Sequence, residues 1–326
     1  MAAPPPAPAS GRLVFRCDGN ELLGAGHVAR CVPLAAAFAE LGWRVSFVGE
    51  HRGFAAWLLE RAQLSVRAPD PDAPCGIALE DCDAAVIDSY TIVPAAICDL
   101  ARALPVATLA EASRCPTLGV LIDYHLDRAP AADEHLLAGP SFAPLDPAFA
   151  GAGRAGRELR RVLVTLGASR LARELLVQVL PAVCSAFEHA EVLVAGEIPR
   201  AEHPDSAPRL VSLHSPSALV DVVGEVDLAI TAAGLTAYEL ACAGLPQLAI
   251  GIVENQRRVV RGLRQSALAP CIDLTAGESL TQLPDALHGL RDELLRERLA
   301  ERGRRTFDGN GARRAAQALS ALWRGG

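Results

Sequence analysis

The sequence predicts an α/β protein in which two Rossmann-like domains face each other across a cleft. Short apolar runs alternate with amphipathic segments along the 326-residue chain, which is typical of doubly wound sheets. Both halves of the chain open with a strand, a glycine-containing loop and a helix. The stretch 139–160 between them is rich in Gly, Ala and Pro and has no sustained period, so the domain boundary is expected there.

The N-terminal domain is therefore expected over residues 11–150 and the C-terminal domain over 151–326. Residues 1–10 are rich in Pro and Ala and are predicted to be a disordered tail, not a signal peptide. In the first half, strands are predicted near 13–16, 44–49, 84–88, 105–109 and 118–122, with helices near 27–41, 53–63 and 94–103. In the second half, strands are predicted near 162–166, 191–195, 210–213, 227–230 and 246–251, with helices near 170–188, 217–223, 235–243, 255–266, within 278–302 and at 312–323.

Composition excludes several classes of protein. The formal charge is −7 and no basic patch stands out, so no nucleic-acid partner is expected. No run of 18 or more apolar residues occurs, so no membrane span and no stable membrane association are predicted. The nine cysteines are scattered and form no C-x-x-C pair, which favours a reduced cytoplasmic protein without structural zinc.

The strongest candidate site lies after the first predicted strand. Gly24 and Gly26 form the turn there, and His27 opens a helix whose first N–H groups favour an anion. A histidine at this point can accept a proton because its pKa lies near neutrality, although it could also merely cap the helix. Asp18 could orient His27 or form an Asx-turn, and Arg30 could bind substrate or pair with Asp18.

Two further segments of the first half are less specific. Tyr90 follows the strand near 84–88, where a tyrosine could reach a substrate or only pack against the protein. His125 follows the strand near 118–122 and could likewise reach the cleft, but isolated histidines are usually structural.

In the second half, small residues follow two predicted strands. Gly167 and Ser169 could present N–H and hydroxyl groups to a phosphate, although Ser169 is equally a helix N-cap. Ala233 and Gly234 precede a helix that begins around Thr236, where the backbone and the hydroxyl can meet a diphosphate.

Three polar residues extend this candidate nucleotide site. Glu239 lies one helical turn after the Ala233–Gly234 turn, and its carboxylate can accept hydrogen bonds from a ribose diol, or simply stabilise the helix N-terminus. Asn255 and Gln256 follow the next strand, and their amides suit sugar hydroxyls, although helix capping also explains Asn255.

These motifs occur in one order over nearly the whole chain and resemble a known family. The chain is similar to the nucleotide-sugar hydrolases of nonulosonic (pseudaminic) acid biosynthesis, which are grouped with spore-coat polysaccharide proteins. That family shares the two-domain glycosyltransferase-B fold with the lipid II-forming N-acetylglucosaminyltransferase. The matching segments are 16–18, 24–31, 88–90, 165–169, 232–239, 244–246, 255–256 and 308–314.

The resemblance implies a metal-independent, cofactor-independent inverting hydrolase that releases UDP and a free amino or deoxy sugar. His27 would be the general base that activates water, and Tyr90 would hydrogen-bond the sugar or the water. The N-terminal domain would hold the sugar, and the C-terminal domain would hold UDP. The implied sugar-binding residues are Asp18, Gly26, Arg30 and Asn255, and the implied nucleotide-binding residues are Gly167, Ser169, Ala233, Gly234, Thr236, Glu239 and Gln256.

The chain departs from the family pattern at the phosphate turns. The family's Ala-Gly-Gly turn is Ala232-Ala233-Gly234 here, and the methyl of Ala233 is expected to crowd the approach of the phosphate. Two alternatives therefore stand beside the hydrolase: a glycosyltransferase that passes the sugar to an acceptor, and a nucleotide-sugar-binding protein without catalysis. The fold alone cannot separate them.

Overall fold

A computed structural model of the chain describes residues 11–20, 23–110, 114–115, 117–153, 158–167, 169–196, 198, 210–213 and 219–324. The chain divides into two compact units. The first contains the chain up to Asp146 together with the segment from Asn310 onward, and the second is Pro147–Gly309. Each unit is built around its own largely parallel sheet.

The first unit contains an eight-stranded sheet with the order β3-β2-β1-β4-β5-β6-β8-β7. Its neighbouring strands are parallel except for the pair β7–β8. The strands are β1 (Arg12–Cys17), β2 (Arg44–Val48), β3 (Ser65–Arg67), β4 (Ala84–Asp88), β5 (Val106–Leu109), β6 (Val120–Asp123), β7 (Ala131–Ala132) and β8 (Leu136–Ala138). The first helices of the unit are α1 (Gly26–Glu40), α2 (Phe54–Arg61) and α3 (Pro94–Ala103).

The second unit contains a six-stranded parallel sheet with the order β11-β10-β9-β12-β13-β14. Its strands are β9 (Arg161–Thr165), β10 (Glu191–Ala195), β11 (Leu210–Leu213), β12 (Leu228–Ala232), β13 (Gln247–Gly251) and β14 (Cys271–Asp273). Its helices are α4 (Arg170–Ala186), α5 (Leu219–Val223), α6 (Leu235–Ala243), α7 (Arg257–Gln265), α8 (Leu283–Gly289) and α9 (Glu293–Thr306).

The sequence predicts the buried strands but not the short ones. Each of the central strands β1, β4, β9 and β12 contains a buried apolar run of three or more residues, because both faces of a doubly wound sheet are covered. Strands β3, β7, β8 and β14 are two or three residues long and were not expected. Such short segments cannot carry a recognisable apolar period, so only the pairing with a neighbour defines them.

The last helix, α10 (Gly311–Arg324), belongs to the first unit, although the sequence places it in the C-terminal domain. Its Trp323 ring stacks on Phe38 with centroids 5.6 Å apart, and Trp43 donates a hydrogen bond from Nε1 to Ser320 Oγ. The apolar face of α10 therefore completes the core beside α1. Sequence order alone cannot show that α10 packs against α1, because the two helices lie at opposite ends of the chain.

Gly311 is the point at which α10 approaches the backbone of the first unit. A Cβ at Gly311 would lie 2.1 Å from the carbonyl oxygen of Ala143 and 2.7 Å from its nitrogen. We therefore expect Gly311→Ala to displace the start of α10 and to lower the free energy of unfolding by ~1–3 kcal/mol. Urea denaturation measures this, with Gly289→Ala as control because a Cβ there meets open space. Equal stability of the two variants would contradict the expectation.

One disulfide corrects the expectation of a chain with only free thiols. Cys98 in α3 is bonded to Cys115, with the Cα atoms 4.9 Å apart. Strand β5 lies between the two cysteines in the sequence. The pairing of β5 in the sheet places the segment that follows it beside α3. The cysteines' spacing of 17 residues gave no sequence signal of pairing. Among the described residues, no helix is both long and apolar enough to cross a membrane.

Candidate active site

Both sheets have a point at which the strand order reverses. In the first unit it lies between β1 and β4, and in the second it lies between β9 and β12, because the chain extends each sheet first to one side and then to the other. Loops leave the carboxyl ends of the strands there in opposite directions and open a crevice that binds ligands. The predicted site residues of each unit lie mainly on these loops.

The loop after β1 is held in place by Asp18. Oδ1 of Asp18 accepts hydrogen bonds from Nη1 of Arg16 at 2.7 Å and from the backbone N–H of Glu50 at 2.9 Å. These contacts tie the loop to the end of β2, so the structure gives Asp18 a role in shaping the loop. Gly24 has a φ of +74°, which favours glycine, and Gly26 is the first residue of α1.

His27 is buried at the start of α1 and contacts a carboxylate that the sequence reasoning did not single out. Nδ1 of His27 lies 2.9 Å from Oδ1 of Asp88, the last residue of β4. A carboxylate oxygen only accepts, so this contact is favourable when Nδ1 carries the proton. Nε2 of His27 is then the proton acceptor, as a general base requires.

Arg30 pairs with Asp88 and not with Asp18, which was one of its two expected roles. Arg30 donates to both Asp88 oxygens, from Nε at 2.5 Å and from Nη2 at 2.8 Å. Nη2 also lies 2.8 Å from Nδ1 of His27. Because a guanidinium only donates, this contact is a hydrogen bond only when Nδ1 is unprotonated, whereas the contact with Asp88 is one only when Nδ1 carries the proton. Burial opposes ionisation of Asp88, but the charge of Arg30 and the contact with His27 hold the pKa of Asp88 below its ordinary value.

Asp88 is the principal site residue that sequence reasoning missed. Its place within the matching segment 88–90 assigns it no role. A signal was present, because an aspartate ends an otherwise apolar and fully buried strand, where an unpaired charge would be costly. In the sheet, Asp88 lies in register with Cys17 at the end of β1, which brings it beside the helix that starts with Gly26.

Tyr90, which the sequence leaves as either a substrate contact or a packing residue, lies against His27. The two rings meet edge to face with centroids 4.5 Å apart. Tyr90 is 42% exposed, whereas the His27 side chain is only 4% exposed. Tyr90 is therefore the surface group that covers the imidazole.

His125 forms a second buried contact with a carboxylate. Its Nδ1 lies 3.2 Å from Oδ1 of Asp123 at the carboxyl end of β6, and Arg128 donates from Nε to Oδ2 of the same residue. The Tyr124 ring stacks on His125 with centroids 5.0 Å apart. Both His125 and Asp123 are buried, so the structure places His125 beside the Arg128–Asp123 ion pair.

In the second unit, the turn after β12 presents its backbone to open space. A Cβ added at Gly234 would meet nothing within 4 Å, and Gly234 has no side chain with which to cap α6. The first N–H groups of α6 are thus placed to bind an anion. Thr236 lies on that first turn, half-buried, and Glu239 follows on the same face of the helix.

The expected crowding by Ala233 is wrong. Ala233 is fully buried, and its N–H donates to the carbonyl of Ile250 at 2.8 Å. Its methyl group therefore packs in the core of the unit, while the open approach to the turn is at Gly234. The departure from Gly to Ala at this position leaves the surface of the turn unobstructed.

Gly167 and Ser169 follow β9 on the other side of the switch point. Gly167 has a φ of +93° and open space where a Cβ would lie, so the loop presents its backbone there. The Ser169 hydroxyl accepts a hydrogen bond from the N–H of Ala172 at 3.2 Å. Ser169 thus caps α4, the structural alternative named for it from the sequence.

Asn255 and Gln256 lie between β13 and α7. Oε1 of Gln256 accepts from the N–H groups of Ile252 at 2.8 Å and Val253 at 3.4 Å, which fixes the turn after the strand. Asn255 is exposed on the same short segment. The structure thus shows a local structural role for Gln256 and brings both amides to the carboxyl end of β13.

Comparison with known proteins agrees with this architecture. No family profile matches the chain, and no curated protein matches it in sequence. Solved structures do match it over almost its full length. They include the glycotransferase of kitacinnamycin, with 14% identity, a TM-score of 0.68 and coverage of 97% of this chain and 100% of that one.

Two further solved structures match the chain over most of its length. Acinetobacter baumannii MurG has 16% identity and a TM-score of 0.64, with coverage of 94% of this chain and 99% of that one. S. aureus MnaA, solved with UDP, has 12% identity and a TM-score of 0.65, with coverage of 94% and 95%. At these identities the likeness establishes the fold: the chain has a glycosyltransferase-B fold, with two parallel-sheet domains.

Proposed function

We propose that the protein is a glycosyltransferase that uses a nucleotide sugar as donor and passes the sugar to a hydroxyl group of an acceptor. The observation that carries this proposal is the buried His27–Asp88 contact at the switch point of the first sheet. Arg30 forms an ion pair with Asp88, and in the proposed active form Nδ1 of His27 donates to Asp88, which leaves Nε2 as the proton acceptor. A nucleophile that must lose a proton near neutral pH needs a base of this kind.

The proposed reaction is a single displacement. Nε2 of His27 takes the proton of the acceptor hydroxyl while its oxygen attacks the anomeric carbon of the sugar. The bond between that carbon and the diphosphate oxygen breaks, and the nucleoside diphosphate leaves with the electron pair, so the configuration inverts. Asp88 stabilises the imidazolium that forms. Because Tyr90 covers His27, the ring of Tyr90 has to swing aside when the acceptor enters.

We assign the nucleotide to the second unit. The open turn at Gly234 and the first N–H groups of α6 would bind the diphosphate, with the hydroxyl of Thr236 beside them. Glu239 on the same helix face would accept hydrogen bonds from the ribose diol. Structures of the same fold support a nucleoside diphosphate as the ligand, because S. aureus MnaA was solved with UDP and the spinosyn rhamnosyltransferase SpnG with thymidine diphosphate.

A hydrolase remains the second candidate. The ordered motifs, from the segment at 16–18 to that at 308–314, resemble the nucleotide-sugar hydrolases, and His27 would activate water as readily as a hydroxyl group. Transfer is favoured because two of the solved structures named above, the glycotransferase of kitacinnamycin and the spinosyn rhamnosyltransferase SpnG, are transferases.

An NMR time course distinguishes the two reactions. The purified protein is incubated with UDP- and TDP-linked deoxy- and amino-sugars, with and without a set of hydroxylated acceptors. We expect nucleoside diphosphate to appear together with a glycosylated acceptor of inverted configuration. Free sugar released at the same rate without any acceptor would instead establish the hydrolase. Binding of nucleotide with no turnover in either condition would contradict both reactions.

Gly234→Ala tests the nucleotide site directly. The new methyl group meets no protein atom within 4 Å, and the φ of −123° suits alanine, so stability should not change. The methyl group would instead occupy the space that a phosphate needs, and we expect the affinity for UDP or TDP to fall about tenfold. Calorimetric titration measures the affinity, with Gly289→Ala as a matched control in the same unit. Unchanged affinity would place the diphosphate elsewhere.

A further inference from the structure

Apolar side chains are exposed on three loops at the carboxyl end of the first sheet. They are Leu23 after β1, Phe54 after β2, and Tyr90 and Val93 after β4, with exposed fractions of 37%, 42%, 42% and 60%. We call these four residues the apolar rim. These are four of the seven large apolar side chains that are exposed on the described residues of the first unit, and they lie at the same end of the sheet as the candidate base. A ligand that binds at that base would cover them.

The loops that carry the apolar rim are joined to the His27 site. A Cβ at Gly19, in the loop after β1, would lie 2.5 Å from Cβ of Ala55 in the first turn of α2. In addition, the N–H of Arg52 donates to the carbonyl of Gly19 at 2.8 Å. On the other side, the Tyr90 ring touches His27. The first turn of α2 and the loop after β4 thus belong to the same end of the sheet as the imidazole.

The aromatic part of the apolar rim is held in place. The Phe54 ring stacks on Trp57, with centroids 5.3 Å apart and planes inclined by 16°. The Arg61 guanidinium in turn lies 5.2 Å from the centroid of the Trp57 ring. This arrangement orders an exposed flat ring before any ligand arrives, so little conformational entropy is lost when a second flat group stacks on it.

We propose that the apolar rim binds the acceptor and that this acceptor is a rigid, largely apolar ring system that bears a hydroxyl group. The inference rests on the proposed function, since His27 would deprotonate that hydroxyl group. A sugar or peptide acceptor presents many polar groups, each of which needs a hydrogen-bond partner when it leaves water. Phe54 and Val93 offer none, whereas they gain free energy by covering an apolar ring.

Binding of flat hydroxylated probes tests the proposal without any need for turnover. The full-length protein, without donor, is titrated with 4-methylumbelliferone and 17β-estradiol, and separately with N-acetylglucosamine. We expect the two ring compounds to bind and the sugar to bind at least tenfold more weakly. Phe54→Ser and Val93→Ser should each lower the affinity for the ring compounds about tenfold. Leu294→Ser is the matched control, because Leu294 is an exposed apolar side chain on α9 of the second unit.

The outcomes separate this inference from the proposed function. Ring compounds that bind equally to the Phe54→Ser, Val93→Ser and Leu294→Ser variants would overturn the inference, as would acceptor-dependent turnover with N-acetylglucosamine alone. Rim-dependent binding to phosphatidylglycerol vesicles in place of the ring compounds would also overturn it and assign the surface to lipid. Rim-dependent binding of the ring compounds without sugar transfer would support the inference while contradicting the transferase.

Discussion

Replacement of His27 by alanine should abolish turnover and leave nucleotide binding unchanged. In the proposed reaction His27 is the general base, with Nδ1 donating to Asp88 and Nε2 accepting the proton, and a well-placed general base contributes ~10²–10⁴-fold to a rate. The residues assigned to the nucleotide are in the second compact unit, so their backbone and side chains are unaltered. The rate of nucleoside diphosphate release and a calorimetric titration with UDP or TDP measure the two effects.

His135→Ala is the matched control for this experiment, because His135 is an exposed histidine of the same unit. It should keep the wild-type rate. A His27→Ala variant that retains more than about a tenth of the wild-type rate would show that His27 only packs at the start of α1. A loss of nucleotide affinity as large as that of Glu239→Ala would contradict the assignment of base and nucleotide to different units.

Asp88→Asn should have the second largest effect, and it should act on both rate and stability. The carboxylate of Asp88 is fully buried, accepts a hydrogen bond from Arg30 and contacts Nδ1 of His27. Its removal leaves the Arg30 charge buried without its partner, which costs ~3–5 kcal/mol of stability. The amide can also donate to Nδ1 and so favour the tautomer in which Nε2 carries the proton, which should lower the rate by ~10²–10⁴-fold.

The pH dependence of unfolding provides an independent readout of the same residue. The pKa of Asp88 in the folded protein is below its ordinary value of 3.8. The stabilisation from its ionised form is therefore complete above that value and is lost as the pH falls through the lower folded-state pKa. Denaturation between pH 7 and pH 2.5 should show the wild type losing its advantage over Asp88→Asn only below about pH 4. A constant difference over this range would contradict the assignment.

The position of His27 was predictable because its signals are local. A buried strand, a turn that needs Gly24 and a helix that starts at Gly26 follow one another within a short stretch, and each has its own sequence signature. The same holds for the turn at Gly234 between β12 and α6. Patterns of this kind depend only on neighbouring residues, so these elements can be predicted from a short segment of the sequence.

The partners of these residues were not predictable in the same way. Arg30 pairs with Asp88, which is 58 residues away in the sequence, and the choice of Asp18 as its partner followed only from proximity along the chain. Asp18 is instead used by Arg16 and by the backbone of Glu50. Ion pairs across a sheet depend on which strands are adjacent, and a strand order is decided by non-local pairing.

The sequence by itself thus determined the two doubly wound halves, the glycine turns and the histidine at the start of α1, because these follow from apolar periodicity and local backbone requirements. Tertiary structure decided what lies beside them. It set Asp88 next to His27, returned α10 to the first unit, joined Cys98 to Cys115 and gathered the apolar rim from three loops. Each of these contacts joins residues from different elements of the fold. The pattern of apolar residues within one element does not show which other elements will lie beside it.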